Sequence, residues 1–319
     1  MHDELAPMNV AQMMDRAVWA YKKSFWKQLA FAAVVFVVFT VVVTFIVIGF
    51  IVAFALGFIA YDSAFGIIVV LLAVFLPLIM LWLGISSTGH ILFTRRALIG
   101  HLVHLPKLKV HVLAFRALTA IIAQGLVFLP LAILAVYLYY SSIVLIDEVF
   151  FRADFNMLGI ILILIASALV VVAFLLVENI FALSVAAAMF EGRLFFGALI
   201  RSWELVRDEY FRILATRVLW YMAGVGFALA AQGLMFLLMM LVGIAVGNLH
   251  PVFAVLLIPI GIVSAVFPFV VSVAQMPLDG IMRAVIYFNQ LIKKEGMDIE
   301  LRLNMIWQKG MHNGVYRSF

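Results

Sequence analysis

The chain has 319 residues, 67% hydrophobic and 12% charged, with a formal net charge of +5. A soluble domain is about 45–50% apolar and about 25% charged, so one globular core cannot bury this excess and the composition is that of a polytopic membrane protein. The chain has no cysteine, which excludes disulfides, thiol catalysis and cysteine-based metal or haem sites.

In chain order, residues 9–27 (NVAQMMDRAVWAYKKSFWK) are amphipathic. Val10, Met13, Met14, Ala17, Val18, Tyr21 and Phe25 follow helical spacing, and Asp15, Arg16, Lys22 and Lys23 fall mostly elsewhere. This pattern predicts an interfacial helix anchored by Trp19 and Trp26. It is too long and too charged for the n-region of a cleaved signal peptide, so Met1 is expected to be retained. Six transmembrane helices are expected near 28–60, 67–93 (with Pro77), 117–140 (with Gln124 and Pro130), 157–190, 218–246 (with Gln232) and 252–275, the last interrupted by Pro259 and Pro268. Between them lie an acidic link at 61–66, a basic, His-rich connection at 95–116 and an acidic aromatic loop with Asp147, Glu148, Arg152 and Asp154. A second amphipathic segment follows at 191–217, then a turn, GNLHP, at 247–251. A helical, charged tail begins at Asp279, with Gly296 as a helix stop. The domain division is therefore 1–27, 28–280 and 281–319, and the fold class is all-α.

The segments before span one, between two and three, between four and five, and after six hold every Lys and Arg except Arg152, 20 of 21. The alternate loops carry Asp62, Asp147, Glu148 and Asp154. This positive-inside pattern puts both termini in the cytoplasm, with the bacterial plasma membrane as the expected location. A basic amphipathic segment followed by an apolar hairpin occurs three times, from about residues 9, 95 and 191, and AQGLVFL at 123–129 recurs as AQGLMFL at 231–237. Either the six spans are three repeated hairpins or the likeness is chance in an apolar alphabet.

The segments MMDRAVWAYKKSFWKQL, FEGRLFFGALIRSWELVRDEYFRIL and RAVIYFNQLIKKEGMDIEL resemble, in order, three signatures of a bacterial six-span family. This is the membrane domain found attached to some glycerophosphoryl diester phosphodiesterases. The resemblance implies the six-span topology. It implies phosphodiester hydrolysis only through a separate soluble barrel, which this sequence does not contain.

The run 157–190 is interrupted by one charge, Glu178, with Asn179 beside it. An ionisable group at such depth costs roughly 2.5–3.5 kcal/mol by insertion scales and marks a functional site by default. Glu178 is either a proton, cation or cationic-substrate site, or a carboxyl hydrogen-bonded to Gln124, Gln232 or a serine that locks helices together. Ser86, Ser87, Thr88 and His90 would line a polar vestibule or simply pack closely. Asp279 and Arg283, four apart, predict an intrahelical pair or a latch. The spacing of His101 and His104 fits one helical face, but no carboxylate completes a metal site; no metal and no cofactor are expected. Arg201, Trp203, Glu204, Arg207, Asp208 and Glu209 read as a solvated face with a Trp anchor, or as a docking helix.

No phosphate-cradling Gly-rich loop, H-E-x-x-H or G-x-S-x-G occurs, and no carboxylates pair within the membrane, so the chain is not expected to be an enzyme. The expected partners are membrane lipid, with anionic headgroups at the cytoplasmic face, and a cytoplasmic protein, with no nucleic acid. Two functions of different class stay open. One is a non-catalytic scaffold or accessory subunit; the other is a transporter or lipid-handling permease built on Glu178, Asn179, Gln124, Gln232 and the 86–90 cluster.

Overall fold

A computed structural model describes residues 7–55, 64–99, 109–151, 157–247 and 257–296. In order these form α1 (Val10–Ala55), α2 (Ala64–Ile99), α3 (Val110–Phe151), α4 (Met157–Ile180), α5 (Ser184–Glu191), α6 (Phe196–Val206), a single 3-10 turn (Arg207–Glu209), α7 (Tyr210–Gly247) and α8 (Leu257–Glu295). The described residues contain no strand. Six stretches are long and apolar enough to cross a membrane: Val10–Gly49, Pro77–Ile99, Val110–Leu138, Ile161–Glu191, Phe196–Ile244 and Val266–Glu295. The all-α, six-span reading of the sequence therefore holds.

Several boundaries differ from those read in the sequence, each for a physical reason. The interfacial segment 9–27 and span one are a single helix of 46 residues, about 69 Å at helical rise. It starts at a reciprocal cap: Gln12 N–H donates to Asn9 Oδ1 and Asn9 N–H donates to Gln12 Oε1, both at 2.8 Å. Neither Gly nor Pro follows until Gly49, so a change of polarity occurs without a break in the backbone. The run 157–190, by contrast, is broken at 181–183. Pro259 lies in the first turn of α8, where no N–H is needed, and Pro268 and Pro277 lie inside the helix. The boundary drawn at 280/281 falls within α8. Asp147 and Glu148 belong to α3. Arg152, Asp154, Asp62, His101, His104, the 247–251 turn beyond Gly247 and the tail beyond Gly296 lie outside the described residues.

The chain forms two compact units, Met1–Lys107 with Ala215–Phe319, and Leu108–Leu214. In the first, α8 packs on α1 and α2, which also pack on each other. Met13, Ala17, Ala20, Ser24 and Gln28 form a buried stripe at helical spacing on α1; its small members let backbones approach, the main source of helix association in lipid. Residues 284–290 of α8 are buried on every side. The stretch 281–292, read in the sequence as the start of the tail, is therefore core except for the partly exposed Arg283, and exposed charge begins after it, from Lys293. Toward the opposite end of α1, Val34, Val37, Val38 and Phe45 face outward, a surface suited to hydrocarbon. In the second unit α3 packs on α4, α5 and α6, and residues 184–189 of α5 are wholly buried.

Candidate functional site

The densest polar construction in the first unit joins α7 to α8. Residues 217, 220, 221 and 224 share one face of α7 by their spacing of three and four, and 275, 278 and 279 share one face of α8. The Gln275 amide donates to the Gly224 carbonyl (2.7 Å), and the Trp220 indole N–H donates to the Leu278 carbonyl (2.8 Å). The Tyr221 hydroxyl donates to Asp279 Oδ1 (2.5 Å). Pro277 lies among these contacts on α8. It has no N–H to close the helical ladder, and spanning helices tolerate proline where neighbours satisfy the loosened carbonyls. The carbonyl it leaves without a helical donor is that of Val273; the next carbonyl, Ala274, accepts the Tyr21 hydroxyl of α1 at 2.8 Å.

Asp279 is the centre of this construction. Arg283 Nε lies 2.6 Å from its Oδ2, and Arg217 Nη2 lies 3.9 Å from its Oδ1. Arg217 also donates to the Tyr221 hydroxyl oxygen (3.4 Å). The Arg217 side chain is 4% exposed, that of Arg283 15% and that of Asp279 33%. Two guanidinium groups thus share one carboxylate where bulk water reaches only part of it. Ions so placed persist only when paired and hydrogen-bonded.

The third wall is α2. A Cβ built on Gly280 would lie 2.7 Å from His90 Cβ, and one built on Gly89 would clash with Cε1 and Cζ of the Phe31 ring. At the first point glycine allows α8 to meet α2; at the second a side chain would displace the Phe31 ring of α1. His90 is fully buried, edge-on to Phe31 (centroids 5.3 Å apart, planes at 84°), and its ring nitrogens have no hydrogen-bond partner among the described residues. It is therefore not hydrogen-bonded to Asp279, whose partners across the cluster are Tyr221, Arg217 and Arg283.

Ser86, Ser87, Thr88 and His90, read as a polar vestibule or as close packing, all lie on α2. Ser86, Thr88 and His90 are buried and Ser87 is half-buried. The Thr88 hydroxyl donates to the Gly84 carbonyl four residues back (2.7 Å), the usual way a lone hydroxyl is satisfied within an apolar helix.

In the second unit the polar groups gather at the gap between α4 and α5. The Ser202 hydroxyl of α6 donates to the Ile180 carbonyl (2.7 Å) and accepts from the Leu183 N–H (3.1 Å), so a single side chain bridges the gap. The Gln124 amide donates to the Phe181 carbonyl (2.8 Å) and to the Ser184 hydroxyl (2.5 Å). Asn179 donates to the Tyr210 carbonyl (3.3 Å), and the Tyr210 hydroxyl donates to the Leu176 carbonyl (2.8 Å). Glu178 is half-buried one turn before the gap, and its carbonyl accepts from the Phe181 N–H (3.2 Å). The amide of Gln124, expected to serve the Glu178 carboxyl, is thus spent on the helix break; Gln232 is an exposed residue of α7. The predicted Asp279–Arg283 pair is present. Arg201, expected on a solvated face, is 14% exposed and pairs with Glu191 at 2.7 Å, tying α6 to the end of α5. Among the described residues no three His, Asp or Glu side chains gather to hold a metal.

Arg217, Trp220, Tyr221, Gln275 and Ser202 were not found from the sequence. The one available signal was Pro277 with Gln275 and Asp279 around it, a proline inside a span flanked by polar side chains. Fold and site together define the class, an all-α polytopic membrane protein. No family model, no curated protein and no solved structure matches the chain.

Proposed function

We propose that the protein is a non-catalytic scaffold or accessory subunit of the bacterial plasma membrane, both termini cytoplasmic, which holds a cytoplasmic protein or anionic lipid at its basic face. The resemblance to a six-span membrane-domain family accords with this reading. The observation that carries the reading is the use made of polar side chains. Gln275, Trp220 and Tyr221 tie α7 to α8, and Ser202 and Gln124 close a helix break. Polar groups engaged in this way stiffen a platform. A carrier needs groups that exchange partners between states.

The surface for a partner is α6. Ala198, Leu199, Ser202 and Leu205 face inward, while Phe196, Ile200 and Trp203 leave an exposed apolar row of the kind helical docking uses. A photoreactive residue at position 200 in native membranes tests this, with position 229, an exposed apolar site on α7, as control. The expected result is one defined protein adduct at 200, absent at 229 and lost with Trp203→Glu. A lipid-only adduct at both positions overturns the partner reading.

The permease reading draws on the interrupted helix beside Glu178, because broken spans line many transport sites. Ion or lipid flux in proteoliposomes that disappears with Glu178→Gln, at unchanged protein stability, would replace the scaffold reading with it.

A further inference from the structure

We infer that the groove between α1 and α2 seats one acyl chain of an anionic phospholipid, from the leaflet at the end where α2 terminates in Arg95 and Arg96. This inference deepens the anionic-lipid part of the proposed function and does not depend on its protein partner. The two helices touch where the Phe31 ring fills the place of a Gly89 side chain. Beyond that contact a cavity of about 360 Å³ opens between residues 31–42 of α1 and 78–85 of α2. Its floor is Phe39 stacked on Trp82 (5.0 Å, 29°). Its rims include Val34 (62% exposed), Val38 (57%), Leu81 (45%) and Ile85 (41%). A spanning helix is about 10–12 Å across and does not enter such a space. A single hydrocarbon chain does.

Length and charge identify the chain. Residues 31–42 cover about 16 Å at helical rise, close to one leaflet of a hydrocarbon core about 30 Å thick. Both walls continue into cations on the same helical faces. On α1, Lys27 precedes Phe31 by four residues and Lys23 precedes Val34 by eleven; on α2, Arg96 follows Ile85 by eleven, three turns on the same side. Lys23, Lys27 and Arg96 are all exposed. Lys23 Nζ donates to the Ala97 carbonyl (3.2 Å), which holds it beside Arg96. Among the described residues of these two helices the one carboxylate is Asp15, two turns further from the groove than Lys23. An acyl chain lying in the groove therefore points its headgroup phosphate toward three cations, Lys27 the nearest by residue spacing, and that arrangement favours an anionic headgroup over a zwitterionic one.

The test uses the full chain in mixed micelles with phospholipids dibrominated in mid-chain, phosphatidylglycerol or phosphatidylcholine. The chain has six Trp residues, so the Trp82 signal is taken as the difference between wild type and Trp82→Phe. The expected result is saturable quenching of Trp82 at a mole fraction about fivefold or more lower for the anionic probe, the effect of one basic residue near an anionic surface. Lys23→Gln, Lys27→Gln and Arg96→Gln together should bring the two curves into coincidence, and Val38→Trp should abolish the saturable component. Equal curves for both probes in the wild type would mean bulk lipid only. Absence of Trp82 quenching would mean that protein covers the groove, and a preference that survives the triple substitution would remove the headgroup assignment. Each of these overturns the inference.

Discussion

The two units solve one problem in different ways. Around Asp279 a charge is held by two arginines and a tyrosine, next to a proline whose loosened helix is tied by side chains from α1 and α7. At the gap 181–183 a serine and a glutamine close the backbone with neutral bonds. The contrast is one between a lone charge and a charge on which several side chains converge. Glu178 stands out because it is the single charge in its run. Asp279 matters because several side chains converge on it, and convergence has a larger energetic effect than isolation.

Substitutions can break that comparison or sharpen it. The largest effect is expected for Asp279→Asn, which leaves two partly buried guanidinium groups sharing no carboxylate; removing one partner of such a network costs about 3–5 kcal/mol. Thermal unfolding in detergent should show it as the lowest midpoint of the series. Gly280→Val comes next, because its side chain would enter the space of His90; forcing methyl groups into a packed contact costs about 1–3 kcal/mol, and the measured midpoint should fall between those of Asp279→Asn and the wild type. Ser202→Ala should cost about 1–2 kcal/mol, the penalty for a buried Leu183 N–H left without an acceptor. Hydrogen exchange would report it locally, as faster exchange at residues 183–184 with the α7–α8 contacts unaffected. The smallest change is expected for Glu178→Gln, within about 0.5 kcal/mol and with an unaltered exchange pattern. A midpoint lower than that of Asp279→Asn would reverse the ranking of the two sites.

Much of the architecture was legible because lipid imposes long apolar runs, and six of them stood between charged segments. The pair at Asp279 and Arg283 was legible because four residues make one helical turn. The partners of Asp279 on α7 were not, since Arg217 and Tyr221 precede it by about sixty residues and no local spacing links them. The break at 181–183 was hidden for a related reason. Its sequence, Phe-Ala-Leu, carries no Gly or Pro, and the interruption persists because Ser202, some twenty residues later, satisfies both of its ends. The continuity of α1 was missed because amphipathic character ended near Lys27 while helical propensity did not. Hydropathy registers the first and the backbone follows the second.

The most direct test of the central claim, that Asp279 fastens α7 to α8, is a double-mutant cycle of Arg217→Gln and Asp279→Asn read by unfolding in one detergent. A coupling energy of about 1–3 kcal/mol is predicted, as for residues of one hydrogen-bonded ionic network. Additive losses, with a coupling near zero, would contradict it.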